Sequence, residues 1–173
     1  MKQVNDTAVR SADSVKCELA LEVLRSFGNL QFAATGSSML PTIWPGETLA
    51  VERVSRNQLY VGDVVLVQRR GGLCAHRLVS KVDRLGISQW ITQGDAVSVP
   101  DDPVNDGELL GRVAFVIRAG RLVALPAELS AVERVTAKIV GRSALVARAL
   151  VLIHSMIHAR DESAPKKAVP CQI

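Results

Sequence analysis

The sequence predicts a mainly β domain with a helix on each side, and two observations support this fold class. Between Gln31 and about Leu125, short runs rich in β-branched and apolar residues are separated by turn signals. Before and after this region, apolar residues recur every three or four positions, as on one face of a helix. Several short strands at this spacing are typical of a coiled β-sheet or a partly closed barrel.

The N-terminal part of the chain predicts an amphipathic helix from Ala8 to Phe27. Val15, Leu19 and Val23 recur every four residues, and Gly28 ends the pattern. Seven strands are then predicted, with hairpin turns at Gly71-Gly72 and Ala119-Gly120. The predicted strands are Gln31–Thr35, Thr48–Arg53, Val64–Arg69, Leu73–Val82, Ile87–Thr92, Arg112–Arg118 and Arg121–Ala124.

The C-terminal part predicts one further helix, from Ala131 to His158, which is basic and amphipathic. Arg134, Lys138 and Arg142 lie at i, i+4 spacing beside an apolar stripe. Such a helix is suited to lying in a membrane interface or to contacting a protein. The expected organisation is therefore a helical segment (residues 1–29), a β-domain (30–125), this basic helix (126–160) and a disordered tail (161–173).

Composition narrows the function classes. The chain has 173 residues with 48% hydrophobic and 3% aromatic side chains, so it can form a core but offers no stacking platform for single-stranded nucleic acid. Residues 112–160 carry 8 basic and 2 acidic side chains, which indicates an anionic partner or a solvated helix face. We expect no nucleic-acid partner, because the chain lacks a recognisable reader element.

The three cysteines lie far apart and form no CxxC pair, which favours a reducing compartment. The N-terminus lacks the apolar core of a signal peptide, and no run is apolar enough to span a bilayer. The expected location is cytoplasmic, with a possible peripheral membrane contact. No cofactor is expected. His154 and His158 have helical spacing, but without a third ligand they do not predict a metal site.

The segment from Ala34 to Gly46 has the strongest chemical signal. The residues Gly36, Ser37 and Ser38 allow a close approach of backbone to substrate, and a serine at the start of a turn can attack a carbonyl. His76, on a predicted strand, is a candidate base, and Asp95 and Asp101 follow in an acidic loop. An ordinary Gly-Ser-Ser loop and a buried sheet histidine are the alternatives from these residues alone.

Four segments in this order resemble the boxes of the type I signal peptidase and LexA-like serine peptidase superfamily. They are Gly36-Ser-Ser-Met-Leu-Pro-Thr-Ile-Trp-Pro-Gly46, Val61-Gly-Asp-Val-Val-Leu-Val67, Ala75-His-Arg-Leu-Val79 and Thr92-Gln-Gly-Asp95. The match continues through Leu109-Leu-Gly-Arg-Val113 and covers about residues 30 to 118. A histidine in the third box resembles the endoplasmic-reticulum-type branch, where bacterial relatives carry lysine.

The resemblance implies a serine endopeptidase with Ser38 as nucleophile, His76 as base and an aspartate that orients the base. Asp95 matches the family's Gly-Asp box directly and is therefore expected to matter more than Asp101. Gly36 stands where many relatives have a serine, so oxyanion stabilisation falls to backbone N–H groups around Ser37, Ser38 and Met39.

The resemblance also implies a peptide or protein substrate with small residues before the scissile bond, held in a groove as an added strand. Three alternatives stay open: a catalytically silent peptide-binding module, a LexA-like regulator and a cysteine–histidine hydrolase that uses Cys74. Self-cleavage of the LexA kind is not expected, because no Ala-Gly pair precedes Ser38.

Overall fold

The computed structural model describes residues 3–69, 72–84, 87–105, 107–143 and 145–153. Within these residues the elements are α1 (Gln3–Phe27), β1 (Asn29–Ala33), β2 (Thr48–Glu52), β3 (Val64–Arg69), β4 (Gly72–Arg84), β5 (Ile87–Gln93), β6 (Leu109–Arg118), β7 (Arg121–Ala124), α2 (Ala131–Arg142) and α3 (145–153). A short 3-10 turn lies at Arg56–Gln58. The mainly β class and its flanking helices are thus confirmed.

The strands form one antiparallel sheet in the order β1-β2-β6-β3-β4-β5. Strand β6 lies at the centre of the sheet. Strand β2 pairs with one edge of β6, while β3 and β7 pair with successive parts of its other edge. Among the described residues β1 and β5 do not pair, so the sheet is open and is not closed into a barrel.

Both faces of the central strand β3 are buried, which explains its uninterrupted apolar sequence. Val64 and Leu66 belong to a core that also contains Leu24 of α1. Val65 and Val67 point to the opposite face and join a second core with Trp90. Because successive side chains of a strand point to opposite faces, a strand covered on both sides is apolar throughout.

The predicted turn at Ala119-Gly120 is confirmed. Both residues have positive φ values, 48° and 74°, as a tight type I′ hairpin turn requires. The turn joins β6 directly to β7 through the Arg118–Arg121 pair. The other predicted turn includes Gly71, which lies outside the described residues.

The prediction of one continuous C-terminal helix from Ala131 to His158 is wrong in the part that the structure describes. Helix α2 ends at Arg142, and Ser143 has extended backbone angles. The Ser143 hydroxyl accepts a hydrogen bond from the Val146 N–H, so this serine caps the start of α3. Residues 154–158 and the predicted tail at 161–173 lie outside the described residues.

None of the described helices is both long enough and apolar enough to span a bilayer.

The close packing of β6 on β2 predicts a glycine requirement at residue 111. A Cβ atom on Gly111 would lie 2.5 Å from the Glu52 carbonyl oxygen and 2.9 Å from Val51 Cγ1. Gly111→Ala is therefore expected to lower the free energy of unfolding by about 1–3 kcal/mol, measured by urea denaturation. Gly107→Ala is the matched control, since no atom lies within 4 Å of its added methyl. Equal stability of the two variants would contradict this account.

Candidate active site

The serine turn, residues 34–47, carries Ser38 on a firmly closed loop. Two backbone hydrogen bonds close its base, from the Ala34 N–H to the Glu47 carbonyl (2.8 Å) and from the Gly46 N–H to the Ala34 carbonyl (2.7 Å). The buried Glu47 carboxylate pairs with Arg118 of β6. The turn is thereby fixed to the centre of the sheet.

Ser38, His76 and Asp101 form a continuous hydrogen-bonded chain. The Ser38 Oγ atom lies 3.0 Å from His76 Nε2, and His76 Nδ1 lies 2.6 Å from Asp101 Oδ2. When Nδ1–H donates to the carboxylate, Nε2 is left to accept the serine hydroxyl proton. This is the order of contacts that activates a serine for nucleophilic attack.

Backbone hydrogen bonds position His76 and Asp101. His76 lies on β4, where it pairs with Val65 of the buried strand β3. Asp101 follows β5 and returns to it, because its N–H donates to the Thr92 carbonyl at 2.8 Å. The Thr92 hydroxyl also donates to Asp101 Oδ2 at 2.7 Å. The carboxylate therefore has a second donor that keeps it aimed at the imidazole.

Arg69 secures the segment that follows Asp101. Its guanidinium donates to the backbone carbonyls of Asp102 and Pro103, and it lies 3.5 Å from the Glu108 carboxylate. These contacts tie the end of β3 to the loop that carries the carboxylate. Arg69 thus acts on the candidate site through backbone position.

The expectation that Asp95 orients His76 is wrong in this structure. Asp95 instead forms a two-pronged ion pair with Arg77, with N–O distances of 2.8 and 2.9 Å, and accepts the Thr42 hydroxyl at 2.5 Å. The Asp95 and Arg77 side chains are only 3% and 8% exposed. Because Arg77 and Thr42 occupy the Asp95 carboxylate, the imidazole is left to Asp101.

Gly94 lies where the chain passes between the serine and the histidine. A Cβ atom there would lie 2.7 Å from the Ser38 carbonyl oxygen and 3.1 Å from His76 Nε2. Two residues later, the Ala96 N–H donates to the same Ser38 carbonyl at 2.8 Å. The loop from Gly94 to Ala96 therefore sets the distance between nucleophile and base.

Backbone N–H groups beside Ser38 are available to a substrate. In the part of the chain that the structure describes, the amides of Ser38 and Met39 donate to no other group. Gly36 has no atom within 4 Å of an added Cβ, and Ser37 is exposed. The Met39 side chain is buried in the core, so only its backbone can take part in oxyanion binding.

An apolar cleft of about 660 Å³ opens beside Ser38. Its walls come from α1, from β1 with the segment that follows it, and from the start of β4. Its lining is mostly apolar and includes three alanines, Ala33, Ala34 and Ala75, together with larger side chains such as Val23 and Phe32.

Cys74 also lines this cleft, but its environment does not suit a nucleophile. Burial, followed by the nearby Asp101 carboxylate, raises the pKa of the Cys74 thiol to about 11. A thiol reacts as its thiolate, and His76 is already engaged with Ser38 and Asp101. The structure therefore favours Ser38 over Cys74 as the reactive group.

No group of three or more His, Cys, Asp and Glu side chains in the described residues is placed to hold a metal ion. His154 and His158 lie outside the described residues.

Lys81, the nearest lysine downstream of His76, lies 5.6 Å from the Trp90 ring centroid, as in a cation–π contact.

No protein-family model matches the chain, and a search of curated proteins finds no sequence match.

The buried pair of Asp95 and Arg77 predicts a large effect on stability. Asp95→Asn leaves the Arg77 charge buried without a compensating carboxylate, so we expect a loss of about 3–5 kcal/mol in the free energy of unfolding. Asp102→Asn changes an exposed carboxylate and is expected to stay within about 0.5 kcal/mol. Urea denaturation of the two variants measures the difference. A small loss for Asp95→Asn would mean that the pair contributes little.

The raised pKa of the Cys74 thiol predicts slow alkylation. At pH 8, Cys74 should react with iodoacetamide about 100-fold more slowly than a thiol of pKa 9.0, because burial and Asp101 raise its pKa to about 11. The rate should rise about tenfold for each pH unit below that pKa. Peptide mapping by mass spectrometry follows the labelled peptide. A rate that levels off below pH 8 would identify an activated thiol instead.

Proposed function

We propose that this protein is a serine endopeptidase that cleaves peptide bonds through Ser38, His76 and Asp101. The observation that carries the proposal is the chain of two contacts, 3.0 Å from Ser38 Oγ to His76 Nε2 and 2.6 Å from His76 Nδ1 to Asp101 Oδ2. The resemblance of residues 30–118 to signal-peptidase-like and LexA-like peptidases points to the same reaction.

In the proposed reaction, Ser38 Oγ attacks the carbonyl carbon of the scissile bond while its proton passes to His76 Nε2. The imidazolium that forms is stabilised by the Asp101 carboxylate. The tetrahedral intermediate then expels the amine, which takes the proton from His76 and leaves an acyl-enzyme. Water, deprotonated by His76, hydrolyses the ester and restores the free serine.

Backbone N–H groups would stabilise the negative charge on the carbonyl oxygen. The amides of Ser38 and Met39 lie at the start of the turn that Ile43 closes with a 2.9 Å hydrogen bond to the Met39 carbonyl. Donors fixed before the reaction need no reorganisation when the charge develops. The open space at Gly36 leaves room for the substrate where many relatives have a serine hydroxyl.

The cleft beside Ser38 would hold the substrate in extended form. Residues 35 and 36 follow β1 and Ala34, whose N–H and carbonyl already bond within the serine turn, and the start of β4 also lines the cleft. A peptide between these two segments gains main-chain hydrogen bonds, with alternate side chains facing the apolar walls. The family resemblance adds the expectation of small side chains on the acyl side of the scissile bond.

Covalent labelling tests the mechanism. A peptidyl fluorophosphonate with alanine next to the phosphorus should modify Ser38, and Ser38→Ala should lower the labelling rate by on the order of 10³-fold or more. Asp101→Asn should slow labelling by about 10³–10⁴-fold, because the imidazole loses its orienting acceptor. Intact-mass spectrometry with peptide mapping gives each rate.

Two variants serve as controls: Ser98→Ala removes an exposed hydroxyl, and Asp102→Asn neutralises an exposed carboxylate. Both should label at the rate of the unchanged protein. Labelling that survives in Ser38→Ala would move the nucleophile elsewhere. A folded protein that takes up no probe at any pH would instead favour a peptide-binding module.

A further inference from the structure

Helices α2 and α3 expose large apolar side chains that are not used by the candidate site. Six of these side chains are more than half exposed: Val132, Val135, Ile139, Leu145, Leu152 and Ile153. On α2, Val132, Val135 and Ile139 lie at i, i+3 and i+7 and form one stripe. This stripe lies on the far side of the helix from the buried Ala137 and Val140. A stripe of three such residues on one helix face differs from single exposed apolar side chains, which are ordinary.

A basic stripe runs beside the apolar one. Arg134, Lys138 and Arg142 lie at i, i+4 and i+8 on α2, and Arg148 is exposed on α3. Glu133 is the one acidic residue between positions 131 and 153, and its carboxylate accepts the Ser130 N–H in the capping box at the start of α2. The outer surface of the two helices is therefore apolar and positively charged.

The inner surface of the same helices is fixed to the candidate site. Val140 packs with Leu40 of the serine turn and with Ala96. A Cβ atom on Gly141 would lie 2.1 Å from the Ala96 carbonyl oxygen, so α2 and the loop at Ala96 are in direct backbone contact. The helix that carries the outer surface is thus packed directly on the loop that contacts Ser38.

We propose that the outer surface of α2 and α3 binds the surface of an anionic lipid membrane, with α2 lying in the headgroup plane. Helices that lie in this plane combine large apolar residues on one face with lysine and arginine on the other. The buried centres of protein–protein interfaces are instead depleted of lysine. Lys138 lies beside the apolar stripe of α2, between Arg134 and Arg142, which favours an anionic lipid surface.

This binding would bring the candidate site close to the lipid. The inner face of α2 contacts the loop whose Ala96 N–H donates to the Ser38 carbonyl. One helix with its side chains is about 10–12 Å across. Ser38 would then work within roughly one or two helix diameters of the headgroups.

Vesicle sedimentation of the full-length protein tests the proposal. Binding should be at least tenfold tighter to phosphatidylcholine vesicles with about 30% phosphatidylserine than to phosphatidylcholine alone, and added salt should weaken it. The basic-stripe variant Arg134→Gln, Lys138→Gln, Arg142→Gln should lose about 100-fold in affinity. The apolar-stripe variant Val132→Ser, Val135→Ser, Ile139→Ser should lose at least tenfold.

Two matched triple variants serve as controls, because they remove the same kinds of exposed side chain elsewhere on the domain. They are Arg25→Gln, Arg53→Gln, Arg121→Gln and Val61→Ser, Val99→Ser, Leu122→Ser. Both should bind vesicles like the unchanged protein. Urea denaturation verifies that all four variants are folded. Equal losses in the controls and the helix variants would overturn the proposal.

The other outcomes are equally informative. Protein that stays in the supernatant with both kinds of vesicle would contradict a membrane surface. If, in addition, the apolar-stripe variant changes a dimer into a monomer in light scattering, the face binds a second copy of this chain. Ser38 labelling is measured without vesicles, so failure of membrane binding leaves the test of the peptidase proposal unaffected.

Discussion

The buried ion pair between Arg77 and Asp95 is the interaction on which the arrangement of the site depends. Arg77 also donates to the carbonyls of Gly62 and Pro126, so one guanidinium joins four separate parts of the chain. Asp95 in turn accepts the Thr42 hydroxyl from the serine turn. Removing two charges from water is costly, and the cost is offset only when every partner is in place. The pair therefore holds these segments in one relative position.

Strand β4 carries both the candidate base, His76, and the buried cation, Arg77, at adjacent positions. Its successive side chains point to opposite faces, so His76 reaches Ser38 and Asp101 while Arg77 reaches Asp95. The loop after β5 contacts both residues, because Gly94 lies beside His76 and Asp95 pairs with Arg77. The two adjacent residues thus couple the geometry of the candidate triad to the stability of the fold.

The family resemblance paired Ser38 with His76, and the structure brings the two side chains into contact. The small-residue turn and the strand histidine alone left an ordinary loop and a buried sheet histidine as alternatives. Sequence reasoning favoured Asp95 over Asp101 as the residue that orients the imidazole, whereas the structure has Asp101 there. That choice depends on how the chain turns back after Gln93, where the Val97 N–H bonds to the Gly94 carbonyl and Asp101 returns to Thr92. Thr92 and Arg69 were missed as supporting residues: Thr92 was noted only as the first residue of the fourth box, and Arg69 belongs to none of the boxes. The break at Ser143 was missed because the apolar periodicity continues across it.

Strand β1 ends the sheet, and within the described residues no other strand pairs with its outer edge. Its five residues, Asn29 to Ala33, include no charged side chain that would discourage edge-to-edge pairing. The unoccupied backbone that would receive a substrate is therefore also a template for strands of other molecules. Helix α1 limits this exposure, because its buried Leu24 anchors it beside the cleft. Proteolytic loss of α1 would open the apolar cleft together with the strand edge, and the colloidal stability of the protein thus depends on that helix.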